Sequence, residues 1–564
     1  MALGNGFSFD GKEFRLGNRL FSVSLEGVES ASERKDDFGG LSEEFTRISF
    51  VRNGVMRECL IWDDLPVLEF TDFEGSFTLP VEGTELVLRA VKFASATDYH
   101  DTPVTETDFF MYRNKIPAQT GNVFILSDPV KKNSYVFISL SPDYVKSSFS
   151  VEGGVASLEN EGYGAVVGKC DTKDAEKLCR AWYRHKCKPS PLFTLANNWG
   201  DLHAPGIVYE DFIKKELEAS KEMGLDVLQI DDGWQTGDTS DKSIRDEKGH
   251  RTFYGDFWKL NEKKFPNGME KVRDAAEKNG VGLGLWFAPH SKNAFELLDR
   301  DVAVLKKAYD IWGARFFKLD MLRVENREMH GAFKKMVERI YSFGKDASIQ
   351  FDVTNGYREG FFGLNQYGRL FVENRYTGLS TYYPHRAARN LYALCKYIPA
   401  FKFQFELVNP TLNRDKYPEN DPLAPCACDE DYLFACVMTS NPLFWMETQF
   451  LPQKQKDELQ RILPVWKKLR SELANADVIP VGERPDGGAF SGFAAYSADG
   501  KKCWLTVLRQ VTEENEYTFS LGKTVTSTRL LASNTDAEVS ADGKNVTVTL
   551  GKNNSYAFIE LEVK

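Results

Sequence analysis

The spacing of hydrophobic and polar positions changes twice along the chain. From residue 1 to about 180, short apolar or β-branched runs, such as 46–51, 85–91 and 134–140, are separated by Gly, Asp and Pro. Many short runs of this kind are typical of antiparallel strands joined by turns. The pattern predicts an N-terminal antiparallel β-sandwich domain over residues 1–185.

Between about 190 and 450, apolar runs alternate with helical patterns. Met329, Phe333, Met336, Val337 and Ile340, for example, share one face of a predicted helix. The predicted strands lie near 193–198, 226–231, 281–287, 314–320, 348–353, 369–374, 401–405 and 442–446. This alternation predicts an α/β fold with a central (β/α)8 TIM barrel over residues 186–474. An open doubly wound sheet is the alternative, but no Gly-rich phosphate turn follows any of the strands.

The third part of the chain returns to a β-rich pattern. Residues 453–473 predict one last amphipathic helix, and 503–508, 546–550 and 556–561 predict strands. We therefore expect a small C-terminal β-sandwich domain over residues 475–564.

Composition narrows the class of protein. A net charge of −11 and a pI near 5.4 argue against nucleic acid or an anionic membrane as partner. The nine cysteines are odd in number and show neither a disulfide framework nor zinc spacing. No apolar run reaches the length of a membrane helix. We expect reduced thiols and a cytoplasmic location, with a signal peptide removed before the first residue as the alternative.

Two predicted barrel strands end in carboxylates. They are Leu228–Asp232, which continues into Gly233 and Trp234, and Phe316–Asp320. Burial of an ionised carboxylate costs several kcal/mol of folding free energy unless the group is paired. Packing in the core therefore does not explain why these strands end in carboxylates. In a parallel barrel, such ends meet at the C-terminal mouth, where barrel enzymes have their sites.

Asp320 is the first candidate for chemistry. Lys318 precedes it by two residues, so both side chains point to the same side of the strand. The ammonium group lowers the pKa of the carboxyl and keeps it ionised. An oriented carboxylate suits the nucleophile of a glycoside-cleaving enzyme. The alternative is a structural ion pair.

Asp231 and Asp232 can both reach a ligand at a strand-to-loop turn, where two carboxylates suit two hydroxyls of a sugar. A metal site is the competing interpretation, but no His or third carboxylate follows at ligand spacing. Trp199, Trp234 and Trp286 lie at or just beyond strand ends, where an indole face suits a pyranose, although each could equally be core packing.

A second catalytic carboxyl must come from another strand, because the two groups flank one bond. Glu373 ends the sixth predicted strand, with Arg369 four residues before it. Burial or a nearby negative charge would raise its pKa toward that of a proton donor. Alternatively, Glu373 pairs with Arg369 or Arg375.

Four ordered segments resemble glycoside hydrolase family 36, the α-galactosidases and raffinose-synthase-like enzymes related to family 27. Residues 228–235 resemble its Asp-Asp-Gly-Trp segment, 257–268 its Trp-x-x-(Asn/Asp)-x-x-Lys-Phe-Pro-x-Gly stretch, 282–289 its Gly-x-Trp-Phe-x-Pro strand, and 317–321 its Val-Lys-Trp-Asp-Met strand. The family has flanking β domains, and its resemblance makes a homo-oligomer plausible without naming an interface.

The resemblance implies roles for individual residues. Asp320 would be the nucleophile and Glu373 the acid/base. The substrate-binding residues would be Trp199, Asp231, Asp232, Trp286, Lys318, Thr354 and Arg369. No metal or organic cofactor is implied.

Two positions depart from the family pattern. Glu373 stands where the family has Asp, and one extra methylene shifts a proton donor by roughly 1.5 Å. Residues 351–356 replace a Cys/Ser- and Gly-rich turn that touches the 2-position of the sugar, and Thr354 is our candidate there.

The expected function is a retaining exo-α-glycosidase of α-galactosidase type, which acts on an oligosaccharide or glycoside through a covalent glycosyl-enzyme. One alternative is transfer of the galactosyl unit to another sugar, as in raffinose synthases. A further alternative is a non-catalytic carbohydrate-binding protein, which the Glu at position 373 would allow.

Overall fold

The computed structural model describes residues 6–11, 13–18, 20–36, 45–73, 75–83, 85–94, 101–187, 189–201, 205–372 and 375–564. It contains a closed barrel of eight strands, preceded and followed by antiparallel sheets. The predicted fold class is confirmed. The predicted domain boundaries at 185/186 and 474/475 stay predictions.

Antiparallel strands make up the N-terminal part. They are β1 Gly6–Phe9, β2 Phe14–Gly17, β3 Ser22–Leu25, β4 Val28–Asp36, β5 Phe45–Arg52, β6 Val55–Trp62, β7 Val67–Asp72, β8 Phe77–Pro80, β9 Val87–Phe93, β10 Val104–Phe110, β11 Lys115–Thr120, β12 Val123–Asp128, β13 Asn133–Ser139, β14 Ser148–Glu152, β15 Val155–Glu159 and β16 Tyr163–Asp171. A nine-stranded sheet, in the order β10-β9-β12-β13-β16-β7-β6-β5-β4, faces the four-stranded sheet β11-β14-β15-β8. Apolar side chains of both sheets share one core, in which the rings of Phe124 and Phe149 stack.

The barrel strands are parallel neighbours in chain order. They are β17 Leu195–Asn197, β18 Val227–Ile230, β19 Gly282–Phe287, β20 Ala314–Leu319, β21 Ser348–Asp352, β22 Arg369–Phe371, β23 Phe403–Leu407 and β24 Asn441–Trp445, and β24 closes on β17. All eight predicted strands are therefore confirmed.

Helices precede, surround and follow the barrel. They are α1 Ala175–Lys186, α2 Glu210–Met223, α3 Met269–Asn279, α4 Lys292–Phe295, α5 Leu298–Asp310, α6 Arg327–Tyr341, α7 Pro384–Leu394, α8 Glu430–Val437, α9 Gln453–Leu459 and α10 Leu463–Asn475. The five apolar residues predicted to share one face of α6 are all buried, as an amphipathic helix packed on a barrel requires.

The last predicted helix is corrected. Residues 453–473 form two helices, α9 and α10, rather than one. Pro464 stands in the first turn of α10. Because proline has no N–H and its ring clashes with the preceding turn, it suits a helix start and interrupts a continuous helix.

The C-terminal part is again antiparallel. Its strands are β25 Asp477–Gly482, β26 Phe490–Tyr496, β27 Lys502–Arg509, β28 Glu516–Ser520, β29 Val525–Ser533, β30 Ala537–Asp542, β31 Asn545–Leu550 and β32 Ser555–Val563. The sheets β25-β26-β27-β32-β29 and β28-β31-β30 enclose a core of their own.

Polar contacts join the N-terminal sheets to the helices. The Lys186 Nζ atom of α1 lies 2.6 Å from the Glu69 Oε1 atom of β7, and the Trp182 indole N–H donates to Glu69 at 2.8 Å. All three side chains are buried. A buried carboxylate is stable only with such partners, so this contact specifies how α1 sits on the sheet.

Asp101 makes a second contact of this kind. Its carboxylate pairs with Arg375, which follows β22, and with Arg389 of α7 at 2.6 Å. The Asn390 side chain donates to it at 2.6 Å. Arg375 also lies 3.2 Å from Glu406 of β23. A residue from the N-terminal part therefore organises the loop that follows the sixth barrel strand.

Among the described residues, no helix combines the length and the hydropathy needed to cross a membrane.

Candidate active site

The C-terminal ends of the barrel strands surround a polar cavity of about 290 Å³. Seven of the nine predicted site residues line it, namely Trp199, Asp231, Asp232, Trp286, Lys318, Asp320 and Thr354. Arg251, Met321, Asp352, Asn355, Arg358 and Tyr376 complete the lining. The cavity therefore lies at the mouth where the sequence analysis expects a site.

Asp231 and Asp232 are buried at the end of β18, and neighbours hold both carboxylates. Asp231 Oδ2 accepts hydrogen bonds from the side chains of Asn197 at 2.7 Å and Lys318 at 3.2 Å. Asp232 accepts from Gln235 at 2.6 Å and from Thr239. Burial raises the pKa of Asp232, and the charges of Asp231 and Asp320 add to the effect, whereas the two hydrogen bonds oppose it.

Gly233 allows the chain to turn directly after these carboxylates. Its φ of +118° lies in a region that L side chains rarely adopt, and a Cβ atom there would meet the Pro205 carbonyl oxygen at 2.5 Å. The glycine of this motif is thus required by the backbone that aims Asp231 and Asp232 at the cavity.

Lys318 stands among three carboxylates inside the barrel. Its Nζ atom lies 3.2 Å from Asp231 Oδ2 and 4.0 Å from Asp320 Oδ2, and the side chain is 4% exposed. Burial disfavours its charge, but the carboxylates of Asp231, Asp320 and Asp352 outweigh burial and raise its pKa. The group is therefore a fixed cation between the second and fourth strands.

Asp320 follows β20, and both of its oxygens accept hydrogen bonds. Trp286 Nε1 donates to Oδ2 at 3.0 Å, and Arg358 Nη2 donates to Oδ1 at 3.1 Å. The Met321 N–H also donates to Oδ1, from a left-handed backbone conformation with φ of +53°. Burial would raise the pKa of Asp320, but Lys318 and Arg358 outweigh it and lower the pKa. The carboxylate is consequently ionised and oriented at neutral pH.

Asp352, the last residue of β21, is a site residue that the sequence analysis missed. Its Oδ1 atom accepts hydrogen bonds from the backbone N–H of Thr354 at 2.8 Å and from the Thr354 hydroxyl at 2.7 Å. Burial and the charge of Asp320 raise its pKa to about 7. Asp320 and Asp352 therefore form a carboxyl pair in which Asp352 is the member that holds a proton below about pH 7.

This pKa predicts a dependence of stability on pH. Unfolding returns the pKa of Asp352 from about 7 to its ordinary value of 3.8, so unfolding at a pH between these two values releases a proton. The stabilisation is complete below about pH 4 and is lost as pH rises toward 7, by at most about 1.4 kcal/mol per pH unit. We expect Asp352→Asn to remove about 2 kcal/mol of the difference between the unfolding free energies at pH 5 and pH 7, measured with urea. If the unfolding free energies of the wild type and of Asp352→Asn depend on pH in the same way, the assignment of the proton to Asp352 is wrong.

The three strand-end tryptophans occupy different environments. Trp199 and Trp286 line the cavity, where their indole groups can meet a ligand. Trp234 is fully buried, stacks on Trp258 and donates its N–H to the Trp286 carbonyl oxygen. Trp234 is thus a core residue that supports the position of Trp286.

The predicted role of Arg369 in substrate binding is corrected. Arg369 is the first residue of β22 and pairs with Gln350, so it lies toward the N-terminal end of the barrel. Its guanidinium donates to the Ser190 hydroxyl and lines a separate cavity of about 640 Å³. Each residue of a strand adds roughly 3.3 Å, and Arg369 stands at the end of β22 that points away from the C-terminal mouth.

The larger cavity lies where strands begin, because the first residues of β18, β19, β21 and β22 line it. Sites of parallel barrels lie at the opposite end. We therefore assign the candidate site to the smaller cavity. Glu373, the predicted acid/base, lies outside the described residues, and its position stays a prediction.

The remaining lining residues had weak signals in the sequence. Asp352 ends an apolar run as Asp231 and Asp320 do, so the same criterion could have found it. Arg251 comes from the long polar segment between β18 and α3, and Arg358 from the loop after β21. Loop residues such as these carry no periodic signal. Within the described ranges, no group of three or more His, Cys, Asp or Glu side chains is arranged to hold a metal ion.

A protein-family model described as Melibiase matches residues 148–306 of the chain. This range contains Asp231, Asp232 and Trp286 and ends before Asp320. The match therefore covers the first three barrel strands.

Two curated proteins align over a similar length. Alpha-galactosidase Mel36A of Lactobacillus acidophilus is 32% identical over 114 residues, which is 20% of this chain and 13% of that protein. Alpha-galactosidase AgaA of Geobacillus stearothermophilus is 28% identical over 117 residues, with the same coverage. The aligned segment thus spans 13% of the length of each curated relative.

Solved structures resemble the chain over nearly its whole length. The family 36 α-galactosidase AgaA from Geobacillus stearothermophilus has a TM-score of 0.67 at 13% identity, and the match covers 95% of this chain and 87% of that one. The α-galactosidase from Lactobacillus brevis has a TM-score of 0.66 at 11% identity, with 96% and 86% coverage. At such identities the likeness establishes a shared fold. The similarity in sequence to α-galactosidases is limited to part of the chain, whereas the similarity in fold to them extends over nearly its whole length.

Proposed function

We propose that this protein is a retaining, exo-acting α-glycosidase of α-galactosidase type. The observation that carries the proposal is the environment of Asp320, an ionised carboxylate whose two oxygens are oriented by Trp286, Met321 and Arg358. An oriented carboxylate with a lowered pKa is suited to attack an anomeric carbon.

The cavity suits one sugar ring. Drug-sized ligands occupy pockets of roughly 300–1,000 Å³. A cavity of about 290 Å³ therefore favours a single terminal sugar over an internal segment of a polysaccharide. Asp231 and Asp232 supply acceptors for hydroxyl groups, and Trp199 and Trp286 supply indole faces for the apolar side of the ring.

In the first step, an Asp320 oxygen forms a bond to the anomeric carbon while the bond to the leaving oxygen breaks. Glu373 gives its proton to that oxygen, so the aglycone departs as an alcohol. The product is a β-linked glycosyl ester of Asp320. Lys318 stays charged beside the site and offers its remaining donors to ring hydroxyls.

In the second step, water replaces the aglycone. Glu373, now ionised, takes a proton from the water molecule, whose oxygen attacks the anomeric carbon and releases Asp320. Two inversions give net retention of the α configuration. The identity of Glu373 as acid/base rests on its match to the family motif.

We propose terminal α-linked galactose as the substrate unit. Variants of AgaA were crystallised with raffinose and with stachyose, both of which are α-galactosyl oligosaccharides. At the end of β18, Asp231 and Asp232 supply acceptors for the hydroxyl groups of galactose. The cytoplasmic location and a homo-oligomer also stay predictions.

Product stereochemistry tests the proposal. We expect 4-nitrophenyl α-galactoside to be hydrolysed with α-galactose as the first product, seen by proton NMR before mutarotation, because two displacements occur at one carbon. The matched control is 4-nitrophenyl β-galactoside, which should not react. β-Galactose as first product would contradict the double displacement, and binding of galactose without hydrolysis at any pH would contradict an enzyme. With a sugar acceptor in excess, a transfer product in place of galactose would indicate the raffinose-synthase-like alternative.

A further inference from the structure

Two guanidinium groups, those of Arg251 and Arg358, face the candidate site. The proposed reaction assigns no role to Arg251 and uses Arg358 only to orient Asp320. Arg251 belongs to the polar segment between β18 and α3, and Arg358 to the loop after β21. Both line the cavity that contains Asp320. Neither residue matched a motif in the sequence analysis.

Arg358 is buried, with only 8% of its surface exposed. Its Nη2 atom donates to Asp320 Oδ1 at 3.1 Å. Its Nε and Nη1 atoms are inaccessible to solvent and have no hydrogen-bond partner among the described residues. A buried guanidinium with two unsatisfied nitrogens is costly, so the arrangement favours a ligand that supplies acceptors.

Arg251 supplies the second guanidinium group. Its Nη1 atom is also inaccessible and unpartnered in the described part of the chain. Its backbone is held firmly, since the Arg251 N–H donates to the Ser291 hydroxyl at 2.9 Å and its carbonyl accepts from the Ser291 N–H at 3.0 Å. Burial and repulsion from Arg245 and Arg358, partly offset by Asp320, lower the pKa of Arg251 to about 10.

The other charged groups in this region have partners. Asp231, Asp232 and Lys318 are each held by hydrogen bonds or ion pairs within the cavity wall. Arg323, in the loop after β20, lies 2.5 Å from a Glu325 oxygen. Acceptors for hydroxyl groups thus come from β18, whereas buried guanidinium nitrogens without a hydrogen-bond partner among the described residues come from Arg251 and Arg358.

We propose that Arg251 and Arg358 form a subsite for an oxyanion, a carboxylate, sulfate or phosphate group carried by the glycoside. Planar guanidinium groups bind such anions through paired, charge-assisted hydrogen bonds. Arg358 contacts Asp320 Oδ1, so an anion bound by Arg358 lies in the same cavity as the proposed nucleophile. This inference rests on the proposed function and specifies its substrate class.

The first experiment needs no turnover. Sodium sulfate and sodium phosphate are titrated into the full chain at ionic strength held constant with sodium chloride, with tryptophan fluorescence as the signal. Trp199 and Trp286 line the cavity and should report occupancy. We expect saturable binding that weakens at least about tenfold in Arg251→Gln and in Arg358→Gln, because each loses charged hydrogen bonds. Arg323→Gln is the matched control and should bind as the wild type does, since Glu325 already neutralises Arg323.

Arg251 is the safer position to change, because it lies in an irregular segment and not in the barrel core. Melting temperatures of all variants identify any that fail to fold. If sulfate and phosphate do not saturate, or if Arg251→Gln binds them as tightly as the wild type, the subsite is wrong. This result is independent of whether the protein cleaves galactosides.

The second experiment places the anion on a sugar. Binding of galactose, galacturonate and α-galactose 1-phosphate is measured by calorimetry on the wild type and on Arg251→Gln. We expect one of the two anionic sugars to bind at least about tenfold more tightly than galactose in the wild type only. The anion lies at C1 in α-galactose 1-phosphate and at C6 in galacturonate, so the tighter ligand identifies the carbon that carries the anion. Equal binding of galactose and both anionic sugars would overturn the subsite while leaving the α-galactosidase proposal intact. Binding of free sulfate but of no sugar would instead overturn the α-galactosidase proposal.

Discussion

Asp320→Asn is expected to lower kcat/KM for 4-nitrophenyl α-galactoside by about 10⁴-fold or more, because an amide cannot form the glycosyl ester. Asparagine keeps the size of the side chain and its acceptor oxygen, so the hydrogen bond from Trp286 can persist. Initial rates over a range of substrate concentrations measure the effect. Galactose binding by calorimetry should persist in the variant, which would separate a loss of chemistry from a loss of the pocket.

The matched control is Asp310→Asn. Asp310 ends α5 on the surface and pairs with Lys306, so its replacement should leave kcat/KM unchanged. A stricter test uses Asp320→Gly with sodium azide. Because azide can enter the space left by the carboxylate, we expect it to restore turnover and to yield β-galactosyl azide. Full activity of Asp320→Asn would contradict the assignment of the nucleophile.

The second large effect is expected at the proton donor. Glu373→Gln should lower kcat/KM for raffinose by about 10³-fold, because a sugar alcohol cannot leave without a proton. The same variant should lose less than about tenfold on 2,4-dinitrophenyl α-galactoside, whose leaving group is stable as an anion. The measurement is the ratio of the two kcat/KM values in wild type and variant.

Asp352→Asn is the informative comparison, since Asp352 is the other cavity carboxyl that carries a proton, with a pKa of about 7. We expect its loss to be similar for both substrates. If Asp352→Asn instead shows the dependence on the leaving group and Glu373→Gln does not, the proton donor is Asp352. Asp320 would then remain the nucleophile, and Asp352 would replace Glu373 as the acid/base.

Much of the barrel could be predicted because its signal is local. Each buried parallel strand is a short apolar run, and the runs at 226–231 and 314–320 end in carboxylates that core packing would not tolerate. Those two ends and the strands between them are enough to place Asp231, Asp232, Lys318 and Asp320 at one mouth.

The failures come from features that a linear pattern does not contain. Arg369 owes its predicted role to a match with the family motif, but it is the first residue of β22 and lines the cavity where strands begin, which a motif match does not reveal. The break between α9 and α10 depends on Pro464, whose effect overrides an otherwise continuous amphipathic pattern. Arg251 reaches the cavity from a loop, and only the folded chain specifies where such a loop goes.

The carboxylate of Asp101 ties the N-terminal part of the chain to the barrel. It pairs with Arg375 and Arg389, which come from the region after the sixth barrel strand. Excision of the first third of the polypeptide would remove the carboxylate that these two guanidinium groups share and leave them with Glu406 and Asp486 as their acidic partners. The barrel of this protein is accordingly not a freestanding module that could be trimmed or transplanted without loss.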